Sequence, residues 1–278
     1  MNKSKANAVC RYILEKSRED VKWKLVLLSL SLLMFDGTYR INSFCSMVGT
    51  GITPWLLPHM LSAMPLQFTY ILGYLLISCN LPYLSTDSTL ALTRSGYRNW
   101  GRGVLKSIRV ISLYYLLFFI ILSIVFILPS LTIDVGWGKI LHTFAETPRI
   151  NTNYFRIFTI SDRIISCYTP VEAMFWGIVL EYLCLNLLAL IVLVVNLLSR
   201  ANVGIYAALS VAALDFFVYN DLGDKAIFFS PVSLARLSVI DATQTSYYPS
   251  PIYAITFLVV SCITLHFTAL RLFKRIRY

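Results

Sequence analysis

Long apolar runs separated by short clusters of charge dominate the hydrophobic pattern of this chain. About 20 apolar residues carry an α-helix across the roughly 30 Å of a bilayer's hydrocarbon core. Runs near that length lie at Trp23 to Phe44, Pro65 to Tyr83, Val110 to Leu128, Val171 to Leu198, Val203 to Tyr219 and Ile252 to Leu270. The pattern predicts six membrane-spanning helices. The first is the most interrupted: its apolar core is Leu25 to Phe35, and Asp36 and Arg40 follow at one helical turn's spacing. A pair at i and i+4 can neutralise itself on one face, which lets the helix run on; the alternative is a span that ends early in a wet loop.

Composition agrees with the pattern. Hydrophobic residues make up 57% of the 278 positions and charged residues 14%, more apolar side chain than one soluble core of this length can hide. The expectation is an all-α polytopic membrane protein whose solvent is largely lipid. It comprises an N-terminal segment 1–22, a six-helix domain 23–270 and a basic tail 271–278.

Charge then orients it, because cytoplasmic loops retain Lys and Arg. With both termini inside, all of the 24 basic residues except Arg40, Lys139, Arg149, Arg156, Arg163, Lys225 and Arg236 fall on the inner side. Of the 14 acidic residues, only Glu15, Glu19, Asp20 and Asp87 join them. This N-in/C-in arrangement accounts for the net charge of +10 without nucleic acid, since the cations face anionic headgroups or a cytoplasmic partner. The first 24 residues are too long, polar and mixed in charge for a cleavable signal. Val9, Tyr12, Ile13 and Leu14, set against Lys5, Arg11, Lys16 and Arg18, predict a helix lying in the inner interface, with a solvated basic leader as the plainer alternative. The six cysteines show neither zinc-site nor dithiol spacing, though Cys45 and Cys167 fall on one side and could pair.

The connection 84–109 carries the chemistry of most interest. Asp87 or Ser88 can cap a short helix and Gly96 can end it. Leu90, Leu92, Tyr97 and Trp100 supply apolar anchors and Arg94 and Arg98 a cationic rim, the components of helix-in-groove recognition. An ordinary positive-inside loop with an interfacial tryptophan would look the same. Within the spans, Glu181 and Asp215 are candidates to line a translocation route or dimer interface, as costly intramembrane charges usually face protein or a water-filled cavity. Glu172, just after Pro170, belongs nearer the headgroups. An equally good reading makes these charges a structural pair. The segment 129–169 mixes Trp137, Phe144, Tyr154, Phe155 and Phe158 with Lys139, Arg149, Arg156 and Arg163, which predicts an outer loop lying on the membrane surface.

The run Arg94-Ser95-Gly96-Tyr97-Arg98-Asn99-Trp100 ahead of the third span, with the six-span order and the long outer segment before the last span, resembles the coupling-helix region and topology of ABC-2 type permeases, the membrane subunits of many bacterial ABC exporters. Phe229-Ser230-Pro231, in the outer segment 220–251, is similar to an element those permeases carry after the fifth span. The likeness implies short re-entrant helices over Phe228 to Ile240, with Ser230 as cap and Pro231 in the first turn. It further implies a bacterial plasma membrane, cytoplasmic ABC ATPase subunits holding ATP and Mg, and a second permease subunit, identical or related. Export of a peptide, antibiotic or lipid-like amphiphile would follow by alternating access.

This chain carries no GxxxxGK[ST] phosphate loop, so ATP chemistry would fall to a partner. His59, His142 and His266 are isolated from one another and make no zinc-protease set, which leaves catalysis unsupported. A membrane protein that transports nothing, such as an immunity factor or envelope scaffold, is the competing reading.

Overall fold

The computed structural model describes residues 2–84, 88–147, 158–218, 220, 224–243 and 247–275. In chain order its α-helices are α1 (Asn2–Glu19), α2 (Val21–Val48), α3 (Leu57–Ser62), α4 (Met64–Ser78), α5 (Thr89–Ser95), α6 (Tyr97–Val125), α7 (Gly138–Glu146), α8 (Asp162–Cys167), α9 (Pro170–Ser199), α10 (Gly204–Phe217) and α11 (Pro251–Arg275). Among the described residues the only β pairing is one isolated bridge, Ile52 with Leu131. Asp87, Arg149, Tyr154, Phe155 and Arg156, invoked above, lie outside the described residues.

Three helices, α6, α9 and α11, are long and apolar enough to cross a membrane, and the chain, helical with no strand among the described residues, falls among α-helical membrane proteins. The other three expected spans differ from these in physical detail. Helix α2 runs unbroken through Asp36 and Arg40 for 28 residues, so the first of the two alternatives holds; it has the length to span but is diluted by polar Asp36, Thr38, Arg40 and Asn42. Helices α4 and α10 are apolar but have 15 and 14 residues, roughly 21–23 Å at 1.5 Å per residue, short of the hydrocarbon core. Pro65 to Tyr83 is therefore helical only as far as Ser78. Beyond it the chain turns, the Tyr83 amide donating to the Asn80 carbonyl at 2.7 Å.

Helix α9 is the axle. It packs on α3, α4, α6, α10 and α11, and its buried positions run from Pro170 to Leu197 around most of its circumference. Its start is set by a capping box: Thr169 N–H and Oγ–H donate to Glu172 Oε2 at 3.0 and 2.8 Å, and Glu172 N–H donates back to Thr169 Oγ1 at 3.4 Å. Glu172 is exposed there, committed to a helix end, and lines nothing inside the bundle. At the other end Asn196 joins three segments. Its Nδ2 donates to the Leu81 carbonyl at 2.6 Å, and its Oδ1 accepts from Gly204 N–H at 2.6 Å. A Cβ at Gly204 would collide with the Val192 carbonyl, so glycine is what lets α10 begin against α9.

One end of the bundle is basic. Helix α1 buries Val9, Cys10 and Ile13 on the first half of α6, with Lys106 Nζ donating to Asn7 Oδ1 at 2.7 Å. The apolar face expected to rest in the membrane interface is thus spent on protein, because α6 begins at Tyr97 and offers it a wall. Lys22 reaches Cys79 and Asn80, and Phe273, buried near the end of α11, packs against Gly101. The chain's N-terminal helix, α5, the α9–α10 turn and the last turn of α11 all gather here. The six cysteines are free, Cys45 and Cys167 included.

The opposite end is a cap built from α3, α7, α8 and 3₁₀ turns at Asp224–Phe229, Ser233–Ala235 and Leu237–Val239. The α-helix expected from Pro231 does not form. Ser230 Oγ does accept from Ser233 N–H, at 3.3 Å, but Arg236 is extended, φ −90° and ψ 118°, and the turn cannot propagate through it. Val232, Ala235, Leu237 and Ile240 are nonetheless buried, as are Trp137, Phe144 and Phe158.

Replacing Asn196 with Leu leaves the Leu81 carbonyl and the Gly204 amide without their partner, at about 1–3 kcal/mol for each group. The expected result is a clear drop in the thermal midpoint of the detergent-solubilised protein, matched or exceeded by Gly204→Ala; unchanged midpoints for both would remove this junction from the account.

Candidate functional site

Polar residues inside an apolar bundle mark the places where function and folding compete, and they converge on one region here. Glu181 lies at the twelfth position of α9, about 17 Å along its axis; Asp215 lies in the last turn of α10. Both are fully buried, at 0% and 1% exposure. Gln67, one turn into α4, donates through Nε2 to Glu181 Oε2 at 3.1 Å and to the Val232 carbonyl at 3.3 Å. From the same stretch of cap, Ser233 Oγ donates to Asp215 Oδ1 at 2.5 Å and Arg236 Nη2 reaches that oxygen at 2.6 Å. Two carboxylates on two helices are thus joined through one turn of the cap and one glutamine.

Their chemistry differs. Asp215 has a cation and a hydroxyl on a single oxygen, a charge-assisted pair sealed from solvent. Glu181 has an amide donor on Oε2, while among the described residues Oε1 has no hydrogen-bond partner. The region can hold charge, pin the cap to α10 and pin α4 to α9. Among the described residues no group of three or more His, Cys, Asp or Glu is arranged to hold a metal.

A second polar line leads from Gln67 along the same face of α4 to Tyr70 and Tyr74. It meets Ser112, Tyr115 and Phe119 of α6, with Tyr115 O–H donating to the Tyr70 carbonyl at 2.7 Å and the Tyr74 and Ser112 hydroxyls 2.7 Å apart. Ring centroids of Tyr70 and Tyr115 are 4.7 Å apart, as are those of Tyr70 and Phe119. The line is packed shut.

The run at the basic end divides in two. Leu90, Arg94 and Arg98 are exposed on α5 and the first turn of α6, and Tyr97 is half-buried. Leu92 is buried, and Trp100 is wholly so, its Nε1–H donating to the Pro82 carbonyl at 3.2 Å and its ring against Tyr12 at 6.1 Å. Trp100 and Leu92 root the segment instead of presenting anchors to another protein. Gly96, at φ 76°, makes the break between α5 and α6 as its residue type predicts. Of the other expected site residues, Ser230 and Pro231 are buried under the cap while Phe229 is 75% exposed. Gln67, Ser233, Arg236 and the tyrosines were missed. A lone amide three residues into an apolar helix, and a lone arginine between Val232 and Ile240, were the available signals.

In the cap, His59 accepts from the Ser161 amide through Nδ1 at 3.1 Å and lies edge-on to Trp137 at 5.0 Å. Burial pushes its imidazole down to about 3, so the ring is neutral with its proton on Nε2.

The fold and this centre define a helical membrane protein with a buried, paired charge cluster beneath a structured cap. No protein-family model, curated protein or solved structure matches the chain.

Breaking a buried ion pair from one side strands a charge and costs about 3–5 kcal/mol, whereas replacing both partners with apolar residues is often neutral. Asp215→Leu or Arg236→Met alone should therefore lower detergent stability strongly, and the double variant should recover most of the loss; additive losses would refute the pairing. For His59 the folded value lies below the ordinary 6.5, so the unfolded chain binds more protons and stability falls as pH drops from 6.5 toward 3, being flat above. The difference between wild type and His59→Gln should change by about 1.4 kcal/mol per pH unit in that window. A parallel pair of stability curves would contradict it.

Proposed function

We propose that this chain is the six-span permease subunit of an ATP-driven exporter in a bacterial plasma membrane, with both termini in the cytoplasm. Two permease subunits, identical or related, would form the pore, and separate ABC ATPase subunits would carry ATP and Mg. The observation that carries the reading is α5: a short helix at the basic end, tipped by exposed Leu90, Arg94 and Arg98 and joined through Gly96 to the long helix α6. A motor that pushes on such a helix needs it attached firmly to a span. Asn99 Nδ2–H, donating to the Ser95 carbonyl at 2.8 Å, ties the two helices across Gly96, and the buried Trp100, held by the Pro82 carbonyl and the Tyr12 ring, roots the start of α6. Docking on the ATPase then falls to Leu90, Arg94 and Arg98, and the rooting to Leu92 and Trp100.

The buried charges suit a moving bundle in a particular way. Gln67–Glu181 and Asp215–Arg236 hold α4, α9, α10 and the cap in one arrangement, so a change between inward and outward states has to exchange these partners or move them as a block. Phe229, Ile133 and Val135, exposed at the cap end, suit release of an amphiphile such as a peptide, an antibiotic or a lipid-like molecule.

The test is affinity purification from native membranes followed by ATPase assay. Arg94→Glu with Arg98→Glu should lose the co-purifying ATPase activity by at least about tenfold, as two reversed charges at a rim would, while inserting normally. Trp100→Ala should instead lower the thermal midpoint. A chain that purifies without ATPase activity, or keeps it despite the two reversals, would leave the immunity factor or scaffold as the better account.

A further inference from the structure

Between the end of α1, the start of α2 and the flank of α6 lies a groove of about 530 Å³, within the about 300–1,000 Å³ typical of ligand sites. Leu14, Trp23, Leu27, Ile111 and Tyr114 form its walls, and Arg18 and Lys24 stand at its rim. Of the two polar atoms on its wall rings, Trp23 Nε1–H is already engaged, donating to Ser17 Oγ at 2.5 Å, and the other is the hydroxyl of exposed Tyr114. Glu15, also at the rim, is matched by Arg11 at 2.9 Å. Arg18 and Lys24 are exposed and face no carboxylate within salt-bridge distance among the described residues. The groove opens onto the exposed apolar faces of α2 and α6, through Val21, Leu25 and Leu28 on one side and Tyr114 and Leu117 on the other.

We infer that this groove is a binding site for one anionic phospholipid, its acyl chain against Leu27, Ile111 and Tyr114 and its phosphate between Arg18 and Lys24. Three features select that occupant. The walls are apolar and continuous with the face that a bilayer covers, which is where an acyl chain arrives by lateral diffusion. The rim carries two cations with no acidic partner, which a zwitterionic headgroup neutralises poorly and a net-negative one neutralises well. Third, the groove sits at the basic end of the bundle, its cations at the rim and its apolar walls running on along α2 and α6, so that one amphiphile can satisfy both at once. A lipid seated there would also bind α1 to α6 and α2, as its walls come from all three helices.

The consequence is lipid selectivity. Each cation near an anionic surface is worth about fivefold in affinity, and two together about thirtyfold. The experiment is native mass spectrometry of the detergent-purified, delipidated full chain titrated with phosphatidylglycerol or with phosphatidylcholine of the same acyl chains. Wild type should retain one phosphatidylglycerol per chain at least tenfold more tightly than phosphatidylcholine. Arg18→Ala with Lys24→Ala should reduce phosphatidylglycerol to the phosphatidylcholine level, while Lys5→Ala with Arg102→Ala, cations away from the groove, should leave it unchanged. Leu27→Trp, which fills the groove from its wall, should weaken both lipids. Because Arg18 and Lys24 are exposed, their removal leaves the fold intact, and an unchanged thermal midpoint without lipid verifies that. Equal retention of the two lipids by wild type, or undiminished phosphatidylglycerol binding by the Arg18 and Lys24 double variant, would overturn the inference. Neither result depends on an ATPase or on transport.

Discussion

A carboxylate moved out of water loses several kcal/mol of hydration unless a cation and hydrogen bonds take its place, and Asp215 is in that position at the end of α10. Arg236 and Ser233 replace the water, and both come from one short stretch of the cap. That requirement shapes the surrounding backbone. Arg236 must leave the helical region to reach the carboxylate, which divides the segment into separate 3₁₀ turns. The same stretch offers the Val232 carbonyl to Gln67, and through Gln67 the cap is connected to Glu181. One ion pair therefore determines how the cap sits on the bundle, and the cap in turn determines the surroundings of the second carboxylate.

The parts of this arrangement that sequence could reveal are those that depend on local length and pattern. Helices α6, α9 and α11 are legible because each is apolar over a full bilayer's length. Gly96 is legible because a residue free to take φ 76° between two helical patterns ends one of them. Hydropathy misjudges α4, since Leu81, Pro82 and Tyr83 are apolar yet form a turn; what holds that turn is Asn196, more than a hundred residues away. Trp100 misleads for a related reason. Flanked by arginines it reads as a surface anchor, and only the packing of α1 on α6 turns it inward. Gln67 and Arg236 look incidental in the chain because their meaning lies in partners that no periodicity relates to them.

Glu172 and Glu181 show how little residue type alone says about role. They lie on the same helix with the same carboxylate. Glu172 closes a capping box in the open, a duty any solvated glutamate at the third position of a helix can perform. Glu181, deep in the bundle, has one amide donor and a second oxygen without a described partner. Depth along α9 separates a local structural device from a group whose surroundings are incomplete, and in the low dielectric of the interior that incompleteness is costly.

Helix α6 brings the two ends of the molecule into one argument. It is fixed at its start by Trp100, at its middle by Tyr115 to the Tyr70 carbonyl, and at its end by Asn42 Nδ2–H donating to the Phe126 carbonyl at 2.7 Å. Helix α4, bonded to α6 through Tyr70 and Tyr74, is also fixed to α9 and the cap through Gln67. Gly96 breaks the chain between α5 and α6, so a displacement of α5 passes to α6 through side-chain contact across the break, where Asn99 Nδ2–H donates to the Ser95 carbonyl at 2.8 Å. The strain then falls on the α4–α6 contact, where the bonds in the way are tyrosine and serine hydroxyls. Such hydroxyls rotate and change partners readily, whereas the Asp215–Arg236 pair cannot open without leaving a charge uncompensated. Relative motion in this bundle is therefore easiest between α4 and α6 and hardest beneath the cap.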